Sequence, residues 1–132
     1  MPMRTQRLLA LCLAVIFAAA ACQGPVDPSE NVIDEFSGRL NPDSQNDHFI
    51  TIGRYGEFTL RVKSLTPSEG AIVFVILGIV QGGLCSIQGQ NSAGHDQLVL
   101  AGAIQPAEYC IQVLDLEGLE APVDYVLEFS HP

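Results

Sequence analysis

The chain has 132 residues, 48% of them apolar and 16% charged, with six basic side chains against fifteen acidic ones and a formal net charge of −9. That balance disfavours nucleic acid as a partner, because phosphate contacts need clustered Lys and Arg. It equally disfavours a membrane surface held by basic side chains, and the acidity serves solubility.

The N-terminus opens with Arg4 and Arg7, followed by a continuous apolar run from Leu8 to Phe17 and then Ala19-Ala20-Ala21-Cys22. A run this short falls below the roughly 20 residues that span a bilayer core. A basic start, an apolar middle and a small-residue end are instead the three parts of an export signal, so residues 1–21 are expected to leave as a signal peptide. The ending resembles the lipobox of bacterial lipoproteins, with Ala19 where that pattern more often has Leu. The resemblance implies lipidation of Cys22. An ordinary signal peptidase would also accept Ala19 to Ala21 and release a soluble product. Cys12 leaves with the signal, and the remaining Cys22, Cys85 and Cys110 are an odd number for an exported protein. Lipidating Cys22 leaves an even pair. Each buried acyl methylene contributes about 0.8 kcal/mol, so an anchor of several chains is effectively permanent.

Residues 22–31 are polar and interrupted by Pro25 and Pro28. They read as a tether with a reach of about 25 to 30 Å in an extended conformation. Gln23 follows the cysteine where Asp would mark inner-membrane retention, which points to the periplasmic face of the outer membrane. The remainder, residues 32–132, suits one domain with one core.

From Val32 onward short strand-like runs alternate with turn clusters, and no helical period is sustained. Val32 to Leu40 opens the series, and Asn41 to Asn46 turns it into a second strand, Asp47 to Ile52. After Arg54-Tyr55-Gly56, the residues Phe58, Leu60 and Val62 alternate with Thr59, Arg61 and Lys63, so one face is buried and the other wet. Thr66 to Gly70 turns the chain into the apolar run Ala71 to Val80, whose β-branched content predicts a central strand covered on both faces. Gln81-Gly82-Gly83 ends it, with Gly78, Gly82 and Gly83 reading as bulge or turn residues. Leu84 to Gln90 is a further strand and Asn91 to Asp96 a polar loop. Gln97 to Ala101, Tyr109 to Leu114 and Val123 to Phe129 complete the count, with turns at Gly102 to Pro106 and Asp115 to Pro122. Eight short strands in a domain of this size predict an all-β, two-sheet antiparallel sandwich.

The order Phe36-Ser37-Gly38-x-Leu40, Asp47-x-Phe49, Gly56-x-Phe58-x-Leu60-x-Val62, Leu98-x-Leu100, Pro106-x-x-Tyr109-x-Ile111-x-Val113 and Tyr125-x-Leu127 resembles the bacterial pre-peptidase C-terminal domain. Ala107 stands where that family usually has Gly. The resemblance implies a jelly-roll-like β-sandwich and a non-catalytic accessory role, which is analogy of fold and not of site.

Cys85 and Cys110 fall on or near different strands. In an exported protein they are expected to form a structural disulfide; two buried thiols are the alternative, and no Cys-x-x-Cys supports redox chemistry. His48, His95 and His131 are scattered, without the His-Glu-x-x-His spacing of a zinc helix. Ser86 or Ser92 with His95 and Asp96 would make a hydrolytic set only if separate loops brought them together, and no Gly-x-Ser-x-Gly elbow is present. Asp43, Gln45 and Asp47 alternate through a turn as oxygen ligands for calcium would, but the glycine and distant Glu of a calcium loop are missing, so a solvated turn is the simpler account. No catalytic residue and no cofactor is expected. The sequence as a whole reads as a lipid-anchored, non-enzymatic binding or accessory module of the bacterial cell envelope, with a protein or polysaccharide partner. A soluble periplasmic or secreted peptidase-associated factor, or a purely structural envelope protein, are its rivals.

Overall fold

A computed structural model describes residues 27–132. The segment read as an export signal, Cys22 and the first part of the expected tether lie outside the described residues. Residues 27–31 carry a single 3-10 turn, Pro28–Glu30, closed by a bond from the Glu30 N–H to the Asp27 carbonyl. Asn31 then fastens the entry to the domain, its Nδ2 donating to the Glu57 carbonyl at 2.9 Å.

Eight strands follow: β1 Val32–Leu40, β2 Gln45–Ile52, β3 Gly56–Thr66, β4 Val73–Gln81, β5 Leu84–Ala93, β6 Gln97–Ile104, β7 Ala107–Leu114 and β8 Val123–His131. They form two four-stranded sheets in the orders β1-β8-β3-β6 and β2-β7-β4-β5. Every pairing is antiparallel. This interleaving, in which neighbours in sequence mostly lie in opposite sheets, is the eight-stranded jelly roll.

Period-two alternation drives the assembly. On β8, Val123, Tyr125, Leu127 and Phe129 are all buried, while Asp124, Val126 and Glu128 face outward. On β3 the inward set begins with Phe58, Leu60 and Val62, as its alternation predicts, but continues at Leu65 and not Ser64. A bulge between Val62 and Ser64 adds one residue and resets the phase. The two sheets meet over Leu60, Val62, Val75, Ile111, Val113 and Leu127, all fully buried.

Strand β4 lies inside its sheet, between β7 and β5. Its inner face, Val73, Val75 and Leu77, joins the core. The expectation of a covering layer on both faces is corrected here. The outer face has no further layer among the described residues; Ile76 is buried there with Gln112 and Gln90 opposite it on the flanking strands. A second correction concerns Asn91 to Asp96, expected as loop: Asn91 to Ala93 continue β5, because the ladder to Val75, Phe74 and Val73 extends over polar residues. Gly82 and Gly83, at φ +58° and +79°, close the β4–β5 hairpin in the left-handed conformations that a two-residue turn of this kind requires.

The Cys85–Cys110 disulfide joins β5 to β7 across β4. Two strand spacings amount to about 9.6 Å, yet the two Cα atoms lie 6.0 Å apart. The end of the β4–β5 hairpin therefore curls over the outer face. Gly78 makes this possible. A Cβ there would sit 2.6 Å from Cys85 Sγ, 2.8 Å from the Ser86 carbonyl oxygen and 3.0 Å from Cys110 Sγ.

Candidate binding surface

The register places four loops at one end of the sandwich: β1–β2 (residues 41–44), β3–β4 (67–72), β5–β6 (94–96) and β7–β8 (115–122). Residues 27–31 join the domain at the other end, where Arg54 pairs with Glu30 at 3.5 Å. A β-sandwich is rigid in its sheets, so a recognition surface is most readily built on such a loop cluster.

Asp115 braces the cluster. Its carboxylate is buried and accepts N–H groups from Asp43 at 2.9 Å, Gly118 at 2.9 Å and Leu119 at 3.0 Å. These bonds, that from Asp43 foremost, hold the carboxyl below the usual carboxylate range against the opposing effect of burial. The Asp115 N–H in turn donates to the Ser44 carbonyl at 3.1 Å. One side chain thus ties the β1–β2 loop to the β7–β8 loop. The spacing Asp115-Leu116-Glu117-Gly118, Asp first and Gly fourth in a turn, was the signal available in the sequence.

Beside this brace the β3–β4 and β7–β8 loops enclose a cleft of about 430 Å³. Pro67, Ala71, Ile72, Leu119 and Pro122 supply apolar lining, and Glu117 and Glu120 line it as well. Leu116 and Ile72 are exposed, at 62% and 43%. A second groove of about 360 Å³ runs between edge strands β5 and β6, lined by Phe58, Leu77, Ile79, Leu100 and Ile104 together with Tyr55, Gln88 and Gln105. It is mainly the open margin of the core, and no charged residue lines it.

The residues considered for hydrolysis are held apart. His95 accepts the Leu65 N–H at Nδ1, 3.2 Å. Asp96 pairs with Arg61 at 3.0 Å, and Ser92 Oγ donates to Glu117 at 3.2 Å. Ser86 lies on β5. No hydrogen bond joins the His95 ring to a serine or to the Asp96 carboxylate among the described residues. The calcium candidates serve the turn: the Asp43 N–H goes to Asp115, and Asp47 Oδ1 accepts Gln45 Nε2 at 2.7 Å and Gln112 Nε2 at 3.0 Å. Among the described residues no three His, Cys, Asp or Glu side chains gather to hold a metal ion.

Sequence reasoning missed a polar network under the β1 and β2 edges. Tyr125 Oη lies 2.7 Å from His48 Nε2, within hydrogen-bond distance, and accepts Asn46 Nδ2 at 3.2 Å. Burial holds His48 below its usual pKa, with the Asp47 carboxylate opposing, and burial raises that of Tyr125. Gly38 leaves the space for this hydroxyl: a Cβ there would lie 2.5 Å from Tyr125 Oη. The Phe-Ser-Gly of β1 and the Tyr of β8 are therefore one packing unit. His131, buried at the far end of β8, pairs with Asp34 at 2.8 Å.

No family model matches the chain, and no curated protein does. Among solved structures the chain is similar to PliG of Aeromonas hydrophila, a periplasmic lysozyme inhibitor of g-type lysozyme, with a TM-score of 0.53 at 16% identity over 80% of this chain and 92% of that one. The likeness is one of fold. The chain is also similar to the pre-peptidase C-terminal domain of a collagenase from Bacillus anthracis (TM-score 0.49, 12% identity, 75% of this chain and 86% of that one). A third similarity is to the CBM36-1 domain of a multidomain xylanase from the hindgut metagenome of Trinervitermes trinervoides (TM-score 0.42, 13% identity, 78% and 98%).

Proposed function

We propose that this protein is a non-catalytic binding module of the bacterial cell envelope. It is exported by residues 1–21, held by a lipid on Cys22 at the periplasmic face of the outer membrane, and presents the jelly roll of residues 32–132 on the tether of residues 22–31. The observation that carries this reading is the Asp115 brace, which orders the β7–β8 loop, one wall of the cleft, and ties it to the β1–β2 loop beside it. Loops already ordered in the free protein lose little entropy on binding, which is the physical requirement of a recognition surface. The fold is also that of a periplasmic inhibitor of g-type lysozyme, which supports a protein partner. The resemblance to pre-peptidase C-terminal domains supports an accessory role.

Calorimetric titration of the mature chain, carrying Cys22→Ser to remain soluble, with a g-type lysozyme and with peptidoglycan fragments tests the reading. Saturable binding to either probe without its chemical conversion is expected. Turnover of a probe, or binding to neither, contradicts it.

A further inference from the structure

Four basic residues, Arg39, Arg54, Arg61 and Lys63, stand against all fifteen acidic ones in the described chain, a net charge of −11. Each of the four is already in an ion pair: Arg39 with Asp124, Arg54 with Glu30, Arg61 with Asp96, and Lys63 with Glu35 and Glu128. Their positions are on β1, on β3 and in the loop before β3. None of the four loops at the braced end contains Lys or Arg. Glu117 and Glu120 line the cleft there and Glu69 stands in the same β3–β4 loop, all without a cationic partner among the described residues. The cleft is thus an apolar slot with an uncompensated carboxylate rim.

Chain direction adds a second constraint. Asp27 to Asn31 is fastened to Arg54 and Glu57, at the end of the sandwich opposite the cleft. The nine residues of β1, rising about 3.3 Å each, separate the two ends by about 26 Å. A tether attached at one end leaves the other directed away from its membrane.

We propose that the cleft between the β3–β4 and β7–β8 loops docks a basic protein, with Lys or Arg side chains meeting Glu69, Glu117 and Glu120 while their aliphatic stems cover Ile72 and Leu119. This rests on the binding-module reading and names its partner class. Complementary charge steers such encounters and fixes register, and long basic side chains are suited to an apolar slot with an acidic rim.

Amide chemical-shift mapping tests it, with the isotope-labelled mature chain (Cys22→Ser) at low salt. The cationic probe is cytochrome c, and the control is cytochrome c whose lysines have been succinylated. Shifts at residues 67–72 and 115–122 with the cationic form and none with the succinylated form are expected. Glu117→Gln with Glu120→Gln weakens binding by about fivefold, the effect of two exposed charge pairs. Glu57→Gln with Glu108→Gln removes the same charge at the other end and changes it less than twofold. Ile72→Ala weakens binding by about threefold without altering the melting midpoint. Equal losses from the two charge pairs, shifts on another surface, or no binding overturn the proposal. Binding of g-type lysozyme or peptidoglycan fragments elsewhere on the domain would overturn it while leaving the binding-module reading intact.

Discussion

Removing the disulfide is the perturbation whose size follows most directly from the structure. Cys85 and Cys110 are 25 residues apart. On the chain-entropy estimate, a closed loop of that length contributes roughly 3.5 kcal/mol by restricting the unfolded chain. A domain of about 100 residues moves its melting midpoint by about 4 to 8 °C per kcal/mol, so Cys85→Ala with Cys110→Ala lowers the midpoint by about 14 to 28 °C. Thermal and urea melts of the double variant, and of the unaltered chain with and without reductant, give the number. Gly78→Ala supplies an internal check. Its Cβ meets both sulfurs and the Ser86 carbonyl, so it is strongly destabilising when the disulfide is present. Without the sulfurs only the backbone clash remains, and a double-mutant cycle yields a coupling of about 1 kcal/mol or more. A loss below about 1 kcal/mol on removing the disulfide, or no coupling to Gly78, would refute the reasoning.

Gly38→Ala drives a methyl into the Tyr125 ring and costs about 2 to 3 kcal/mol by denaturant melts. Tyr125→Phe does not rescue it, because the clash also involves Cζ at 2.8 Å; alone, Tyr125→Phe loses two hydrogen bonds and costs about 1 to 3 kcal/mol. Two groups shape the acid side of the stability profile. His48 is lowered in the folded state, so its contribution is complete above its unfolded value of about 6.5 and is lost as pH falls through the folded value. Asp115 is also lowered, so its contribution is present above about 3.9 and is lost as pH falls further. Melting midpoints from pH 8 to 3 therefore decline in two stages, the first absent in His48→Asn and the second reduced in Asp115→Asn. Asp115→Asn also frees the β1–β2 and β7–β8 loops, seen as faster amide exchange at Asp43, Gly118 and Leu119.

The eight strands were legible because half-buried strands write a period of two: Phe58, Leu60 and Val62, or Tyr125, Leu127 and Phe129, declare a face without help from distant residues. The Cys85–Cys110 disulfide was legible from the cysteine count read together with the expectation of export. The bulge after Val62 was not, since one extra residue leaves no mark in composition. Nor was the outer face of β4, whose apolar run looks the same under a second layer or under curled neighbours. The Asp115 brace and the Tyr125, His48 and Asn46 network depend on loops and strands separated by up to 79 residues. Only the folded topology brings those partners together. Asp43, Gln45 and Asp47, which alternate as ligands would, spend their bonds on the Asp115 brace, on one another and on Gln112.

The central claim, an exported and lipid-held disulfide-stapled module, is tested most directly by the intact mass of the protein purified from membranes of its native host, with and without reductant. The account predicts a chain beginning at Cys22, carrying acyl groups, and two hydrogens lighter before reduction than after. An unacylated chain recovered from the soluble fraction, or one with no mass change on reduction, would contradict it.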